Sequence, residues 1–176
     1  MFRLEVDKEI NLVFLQNSMA PELYALVESN RDYLHQWMPW VEGTTSVADI
    51  ESFIERSVNG FAKEATLVCA IEYKGKLGGI ISYNKISKTL KKVELGYWLA
   101  EALQGNGIIY RACKKLIDYA FHEMNMEKAE IRVVTGNLAS RKVCEKLGGT
   151  LEGEISHSEN LHGNIAGHAV YAIHNK

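Results

Sequence analysis

The chain of 176 residues is short of several features that would settle its class at once. It holds only two prolines, Pro21 and Pro39, and no Pro-, Gly- or Ser-rich stretch that reads as a linker, so one domain over residues 1–176 is expected. Its three cysteines, Cys69, Cys113 and Cys144, are odd in number and widely spaced. That excludes a fully paired disulfide framework and suits the reduced thiols of a cytoplasmic protein. No apolar run approaches the ~18 residues that a bilayer span needs. The opening residues, MFRLEVDKEI, alternate charged and apolar side chains and do not read as a signal peptide. Net charge is small as well: 20 basic residues against 22 acidic ones leave −2. Bulk electrostatics therefore give no reason to expect a nucleic-acid or anionic-membrane partner. No internal repeat or low-complexity tract is visible.

What is present is the balance of a globular domain, with 47% hydrophobic and 24% charged residues and enough length to bury a core. Phe2 to Val6 and Leu12 to Gln16 read as short strands. From Pro21 the period turns helical, with Leu23, Leu26 and Val27 on one stripe. Asn30 is placed to cap a second helix carrying Leu34, Trp37 and Met38, which Pro39 ends. Ser46 with Asp49 forms a capping-box pattern ahead of Ile50, Phe53, Ile54 and Val58. Two apolar runs, ATLVCAIEY and LGGIISYN, then flank a hairpin turn at Lys74 to Lys76. KKVELGYWLA is a third strand, followed by a helix with Ile109, Ala112, Cys113, Leu116 and Ala120 on one face. KAEIRVVT, the helix NLASRKVCEKLGG and two closing strands, GTLEGEISHSE and IAGHAVYAI, complete the chain. The order predicts an α/β (α+β) domain with a mostly antiparallel sheet and one parallel step.

The stretch from Trp98 to Phe121 runs from a strand through Gly105 and Gly107 into a helix. Free amides and partial positive charge at a helix start suit an anion, and glycines allow its close approach. A dinucleotide fingerprint needs a third glycine where this chain has Tyr110, and a P-loop needs Lys-Ser/Thr where it has Ile108 and Ile109. On the loop alone, a turn that uses glycine only for steric reasons is an equal reading. About thirty residues on, Asn137, Ser140 and Arg141 stand at a second helix start.

These two stretches, LGYWLAEALQGNGI (95–108) and GNLASRKVCEKLGGTLEGE (136–154), resemble the GNAT (general-control-related N-acetyltransferase) superfamily. IESFIERS, ELGYWL and the closing TLEGE and ENLHGN are most similar to its ribosomal-protein N-terminal acetyltransferase branch. The resemblance covers nearly the whole chain. It implies a mixed sheet with a splayed parallel strand pair, acetyl-CoA as co-substrate, and direct attack by a primary amine, in this branch the N-terminal amine of a ribosomal protein. It also implies a homodimer or higher homo-oligomer. By resemblance, Gln104, Gly105, Asn106, Gly107 and Ile108 cradle the pyrophosphate of coenzyme A, although Ala102 stands where the superfamily usually has Gln or Arg. Tyr97, Trp98 and Leu99 are the region of the oxyanion donor, and Asn137 holds the pantetheine arm. Ser140 matches the branch's general acid and Glu159 its base, with Glu94 as a second candidate.

Each has a plainer reading from its residue type. Ser140 and Asn137 can simply cap their helix, Glu159 can be a solvated turn residue, and Glu94 an outward-facing strand residue. Tyr33, Trp37 and Trp40 either wall an acceptor pocket or pack in the core. Small-molecule amines, and an acyl-CoA-binding module without turnover, are the alternative functions. His157, His162, His168 and His174 have no Cys or carboxylate partner at a usual zinc spacing, so no metal is expected.

Overall fold

The computed structural model describes residues 2–176. Eight strands form one sheet: β1 (Arg3–Glu5), β2 (Ile10–Phe14), β3 (Leu67–Tyr73), β4 (Lys76–Ser87), β5 (Lys92–Leu99), β6 (Lys128–Val134), β7 (Thr150–Leu161) and β8 (Asn164–His174). Their spatial order is β1-β2-β3-β4-β5-β6-β8-β7. Every neighbouring pair is antiparallel except β5 with β6. Helices α1 (Ala20–Ser29), α2 (Arg31–His35) and α3 (Val47–Ala62) cover one face, and α4 (Ile108–His122) and α5 (Leu138–Lys146) the other. Among the described residues no helix is long and apolar enough to cross a membrane.

Burial on both faces explains why the central strands read as near-continuous apolar runs. Along β3, Cys69 and Ile71 pack with Leu116 and Ala112 of α4, while Val68 and Ala70 pack with Leu23 of α1 and Ile54 of α3. The Ser46–Asp49 capping box forms as expected, each side chain bonded to the other's backbone amide. Three expectations are corrected. β2 lies two residues earlier than Leu12 to Gln16, because Asp7 Oδ1 takes the amides of Glu9 and Ile10 and sets the register of the turn. Asn30 does not cap α2: its amide nitrogen bonds the Leu26 carbonyl, and its Oδ1 accepts from the amide of Glu101. Val58 points outward, and Ser57 is buried in its place with its hydroxyl on the Phe53 carbonyl.

Two polar clusters hold the sheet where it is least continuous. Glu130, whose side chain is 4% exposed, takes Arg132 Nε at 2.7 Å, Lys92 Nζ at 3.0 Å and Lys128 Nζ at 3.2 Å. Burial alone would raise its pKa, but these three cations outweigh it and carry the carboxyl down to about 2. At the opposite end of the sheet, the tip of the β7–β8 hairpin is tied to α2. His162 lays its ring on that of His35, with centroids 3.5 Å apart. Glu42 Oε1 lies 3.0 Å from a nitrogen of each ring, and His162 Nε2 lies 2.9 Å from the His35 carbonyl. Both His162 nitrogens thus face oxygen atoms.

Glu130→Gln removes an ion held by three cations. Since the folded pKa lies below the ordinary value, the stabilisation is complete above the unfolded carboxylate range and is lost as the pH falls toward about 2. The variant is expected to be less stable by up to about 3 kcal/mol at neutral pH. Urea unfolding across pH should show that gap closing between pH about 4.5 and 2, and a gap independent of pH would refute the assignment. In Glu42→Gln, amides at the hairpin tip should exchange faster than in the wild type, with those of β3 unchanged. The His35 and His162 contacts hold the Glu42 carboxyl below its usual range, so this difference too should shrink on acidification. Hydrogen exchange read by mass spectrometry checks it, and equal exchange at the tip would dispose of the latch.

Candidate active site

The sheet divides at its one parallel step. β5 and β6 pair only from Lys92 to Leu95 against Lys128 to Ile131. Beyond that, β5 stays with β4 as far as Leu99, and β6 stays with β8 as far as Val134. Ala100 donates its amide to the Gly78 carbonyl on β4 at 2.8 Å. Strand alternation then turns the Trp98 amide toward β4 as well, and the amides of Tyr97 and Leu99 toward the gap. Of the three residues expected to offer an oxyanion donor, Trp98 has its amide committed to the ladder.

The gap leads to the turn before α4. Gly105 and Gly107 have φ of +80° and +67°, the left-handed region that glycine enters freely. A Cβ added to either would meet no protein atom within 4 Å, so these glycines serve backbone conformation on an open surface. Among the described residues, no backbone carbonyl accepts an amide from Gly105 through Tyr110, which leaves a run of donors at the helix start. Ile108 itself is buried in the core. Gln104 reaches back, Nε2 to the Leu99 carbonyl at 3.1 Å, and Asn106 Nδ2 holds the Leu103 carbonyl at 3.0 Å. The turn is therefore braced by its own amides. Arg111, one turn into the helix, is drawn away to Asp7 at 2.7 Å and Glu9 at 3.2 Å.

A cavity of about 1030 Å³ continues from the split across the α1–α3 face. Glu94, Tyr97, Trp98, Leu99, Gln104, Asn137, Ser140 and Glu159 all line it, so eight expected site residues, from two strands, a turn and a helix start, meet in one space. Gly105, Asn106, Gly107 and Ile108 do not line it and form the turn beside Gln104. Tyr33, Trp37 and Trp40 line the cavity too, and Trp40 leans on Trp98 with centroids 5.9 Å apart.

Asn137 is the N-cap of α5, its Oδ1 accepting the Ser140 amide at 3.2 Å. The Ser140 hydroxyl is therefore not spent on capping. It lies 2.8 Å from the Tyr97 hydroxyl, a contact 43 residues apart in sequence that no spacing rule signals. Burial, with the thiols of Cys113 and Cys144 close by, pushes the Tyr97 phenol well above its usual pKa. Burial also pushes Cys144 up to about 11, so it remains a neutral packing thiol.

The two carboxylate candidates differ in surroundings. Glu94 sits where the strands are still paired, opposite Glu130, with Lys92 Nζ 3.2 Å away. Glu159 lies on β7 beyond a register shift, and the ionisable group within ion-pair reach of it among the described residues is His168, Nε2 at 3.6 Å. His168 also lines the cavity, a role its place in a loose C-terminal group of histidines did not disclose. Among the described residues one group, His35, Glu42 and His162, gathers possible metal ligands. Its carboxylate comes from 120 residues upstream of His162, out of reach of a spacing argument. The two rings are parallel within 10°, so no single ion position lies in both ring planes, and the group is satisfied by hydrogen bonds as it stands.

Comparison with known proteins follows the same lines. Residues 10–150 match the model of the acetyltransferase (GNAT) domain family. The chain is 32% identical to YdaF of Bacillus subtilis (strain 168) over 88% of its own length and 85% of the relative's. It is 29% identical to the ribosomal-protein-serine acetyltransferase of Escherichia coli (strain K12), over 90% and 88%. Among solved structures it is similar to the microcin C7 self immunity acetyltransferase MccE in complex with acetyl-CoA and AMP, at TM-score 0.95 and 31% identity over 98% and 96% of the two chains. The chain belongs to the GNAT acetyltransferases.

Proposed function

We propose that the protein transfers an acetyl group from acetyl-CoA to a primary amine, the N-terminal α-amine of a ribosomal or other protein, at the split between β5 and β6. The observation that carries this reading is the continuity of three features: free amides at the start of α4, unpaired strand edges beyond Leu95, and a cavity on the acceptor side. The fit to a diphosphate-bearing thioester rests on the left-handed turn at Gly105 and Gly107, whose amides no backbone carbonyl among the described residues accepts. Acetyl-CoA, when bound, supplies an acyl group already activated as a thioester.

The chain's own residues then have three tasks. The amides of Gly105 to Ile108 hold phosphate charge, and Asn137 orients the arm that follows. Tyr97 or Leu99, whose amides face the gap, donates to the carbonyl oxygen as negative charge builds there, worth ~3 kcal/mol in a dry site. Ser140 donates to the sulfur as the carbon–sulfur bond breaks. The proton lost by the attacking nitrogen goes to Glu159 through water. What supports Glu159 over Glu94 is charge: both line the cavity, but Glu94 is already paired with Lys92 beside the Glu130 cluster, whereas Glu159 has no lysine or arginine partner among the described residues. A single relayed carboxylate suits an α-amine of pKa about 7.7–8, a tenth of which is neutral at pH 7. Lysine, at about 10.4, costs roughly 4–5 kcal/mol to deprotonate there. A second reading, a small-molecule amine acceptor, draws support from the three aromatic side chains lining the cavity and from the likeness to MccE.

The test is to incubate the protein with acetyl-CoA and a panel of N-terminal peptides, polyamines, amino acids and aminoacyl nucleotides, following free thiol. Thiol release with peptides supports the first reading, release only with small amines the second. Tight acetyl-CoA binding with no release on any acceptor would identify a binding module and reject both. Ser140→Ala should lower kcat by about 100-fold with acetyl-CoA affinity unchanged. Gly107→Val, which strains a left-handed turn, should instead weaken affinity. The opposite pattern would mean the two roles are exchanged.

A further inference from the structure

Within that reading, and resting on it, the hydrogen bond between Tyr97 and Ser140 bears on where the Ser140 proton points. A buried phenol must place its O–H on an acceptor. Among the described residues, two groups are within hydrogen-bonding reach of the Tyr97 hydroxyl: Ser140 Oγ, at 2.8 Å, in a contact where either oxygen can donate, and the buried thiol of Cys144. A hydroxyl oxygen accepts more strongly than a thiol sulfur, which favours Tyr97 as the donor to Ser140. Serine offers one proton and two lone pairs. One lone pair is taken by Tyr97, and the Ser140 amide is already satisfied by Asn137. The remaining proton of Ser140 has no protein acceptor among the described residues, and the side chain lines the cavity. We propose that Tyr97 is a positioning residue: its phenolic proton occupies the back of Ser140 Oγ and so turns the Ser140 proton toward the sulfur that leaves.

This assignment also says what the pair does not do. Burial keeps the Tyr97 phenol protonated at any working pH, so a proton relay ending in a buried phenolate is excluded. The departing sulfur is a thiolate of moderate basicity, thiols having pKa ~8.5, and needs a fixed hydrogen bond rather than a strong acid. Over the whole reaction the nitrogen–carbon bond forms and the carbon–sulfur bond breaks. The proton that leaves the amine is the one that the free thiol finally carries. Tyr97 and Ser140 keep their own protons throughout.

Two measurements test the proposal, one of them independent of turnover. Calorimetry compares coenzyme A with desulfo-coenzyme A, which lacks the sulfur, above the thiol pKa. The wild type should prefer the sulfur-bearing form by about tenfold. Ser140→Ala and Tyr97→Phe should each lose that preference while binding desulfo-coenzyme A as tightly as the wild type. In turnover, Tyr97→Phe should lower kcat about tenfold with little change in KM. The double variant should be no slower than Ser140→Ala, since both removals break one arrangement. Loss of the preference in Ser140→Ala but not in Tyr97→Phe overturns the role of Tyr97 and leaves that of Ser140 standing. No preference in the wild type, with Ser140→Ala fully active, overturns both. Weaker binding of both ligands by Tyr97→Phe would show that the ring only shapes the cofactor groove, and would also sink the proposal.

Discussion

Parallel pairing between β5 and β6 lasts for four residues of each strand, and the rest of the molecule is arranged around its ending. Backbone amides and carbonyls that leave a ladder without new partners are costly when buried. Both strands escape most of that cost by keeping their outer neighbours, β4 and β8, so each is unpaired on one edge alone. The closed end of the step is held by charge. Glu130 draws in Lys92 from β5 and Lys128 and Arg132 from its own strand just where pairing stops. At the far side of the opening the hairpin tip rests on α2 through His162, His35 and Glu42. The gap is thus bordered at both ends by polar contacts and lined by apolar and aromatic side chains between them.

The two faces of the sheet divide the remaining work. α4 packs Ala112, Cys113 and Leu116 against the strands with complete burial, which fixes where its first turn sits relative to β5. The α1–α3 face is less filled near the split, and there the cavity opens between Trp98 on the strand and Trp37 and Trp40 on the segment after α2. One face supplies a fixed helix start and the other supplies room.

Much of this was legible before any coordinates. Strand and helix order followed from periodicity, because most apolar positions face one of two cores. The glycine pair, the Ser46–Asp49 box and the Asn137 cap are local rules acting over a few residues, and they appear as expected. What stayed hidden was set by tertiary contact. Asn30 has the chemistry of a cap, yet its side chain is claimed by the Glu101 amide 71 residues away. Glu42 and His162 belong to segments joined only by the fold, as do Tyr97 and Ser140. The register of β2 was misplaced because Asp7 anchors the preceding turn, a detail that alternation of apolar residues does not encode. Choosing between two glutamates likewise required knowing which one already had a cation.

Arg111 carries a last consequence. It is the cation nearest in sequence to the glycine turn, and the acids of the β1–β2 turn hold it while its Nη2 bonds the Asn106 carbonyl at 3.3 Å. An anion proposed to enter the turn would meet neutral backbone dipoles, with the charge of that guanidinium already offset by Asp7 and Glu9. Attraction between full charges fades as salt shortens the Debye length, whereas short-range amide contacts are much less affected. Under the proposed reading, anion binding at this turn should therefore change little with ionic strength.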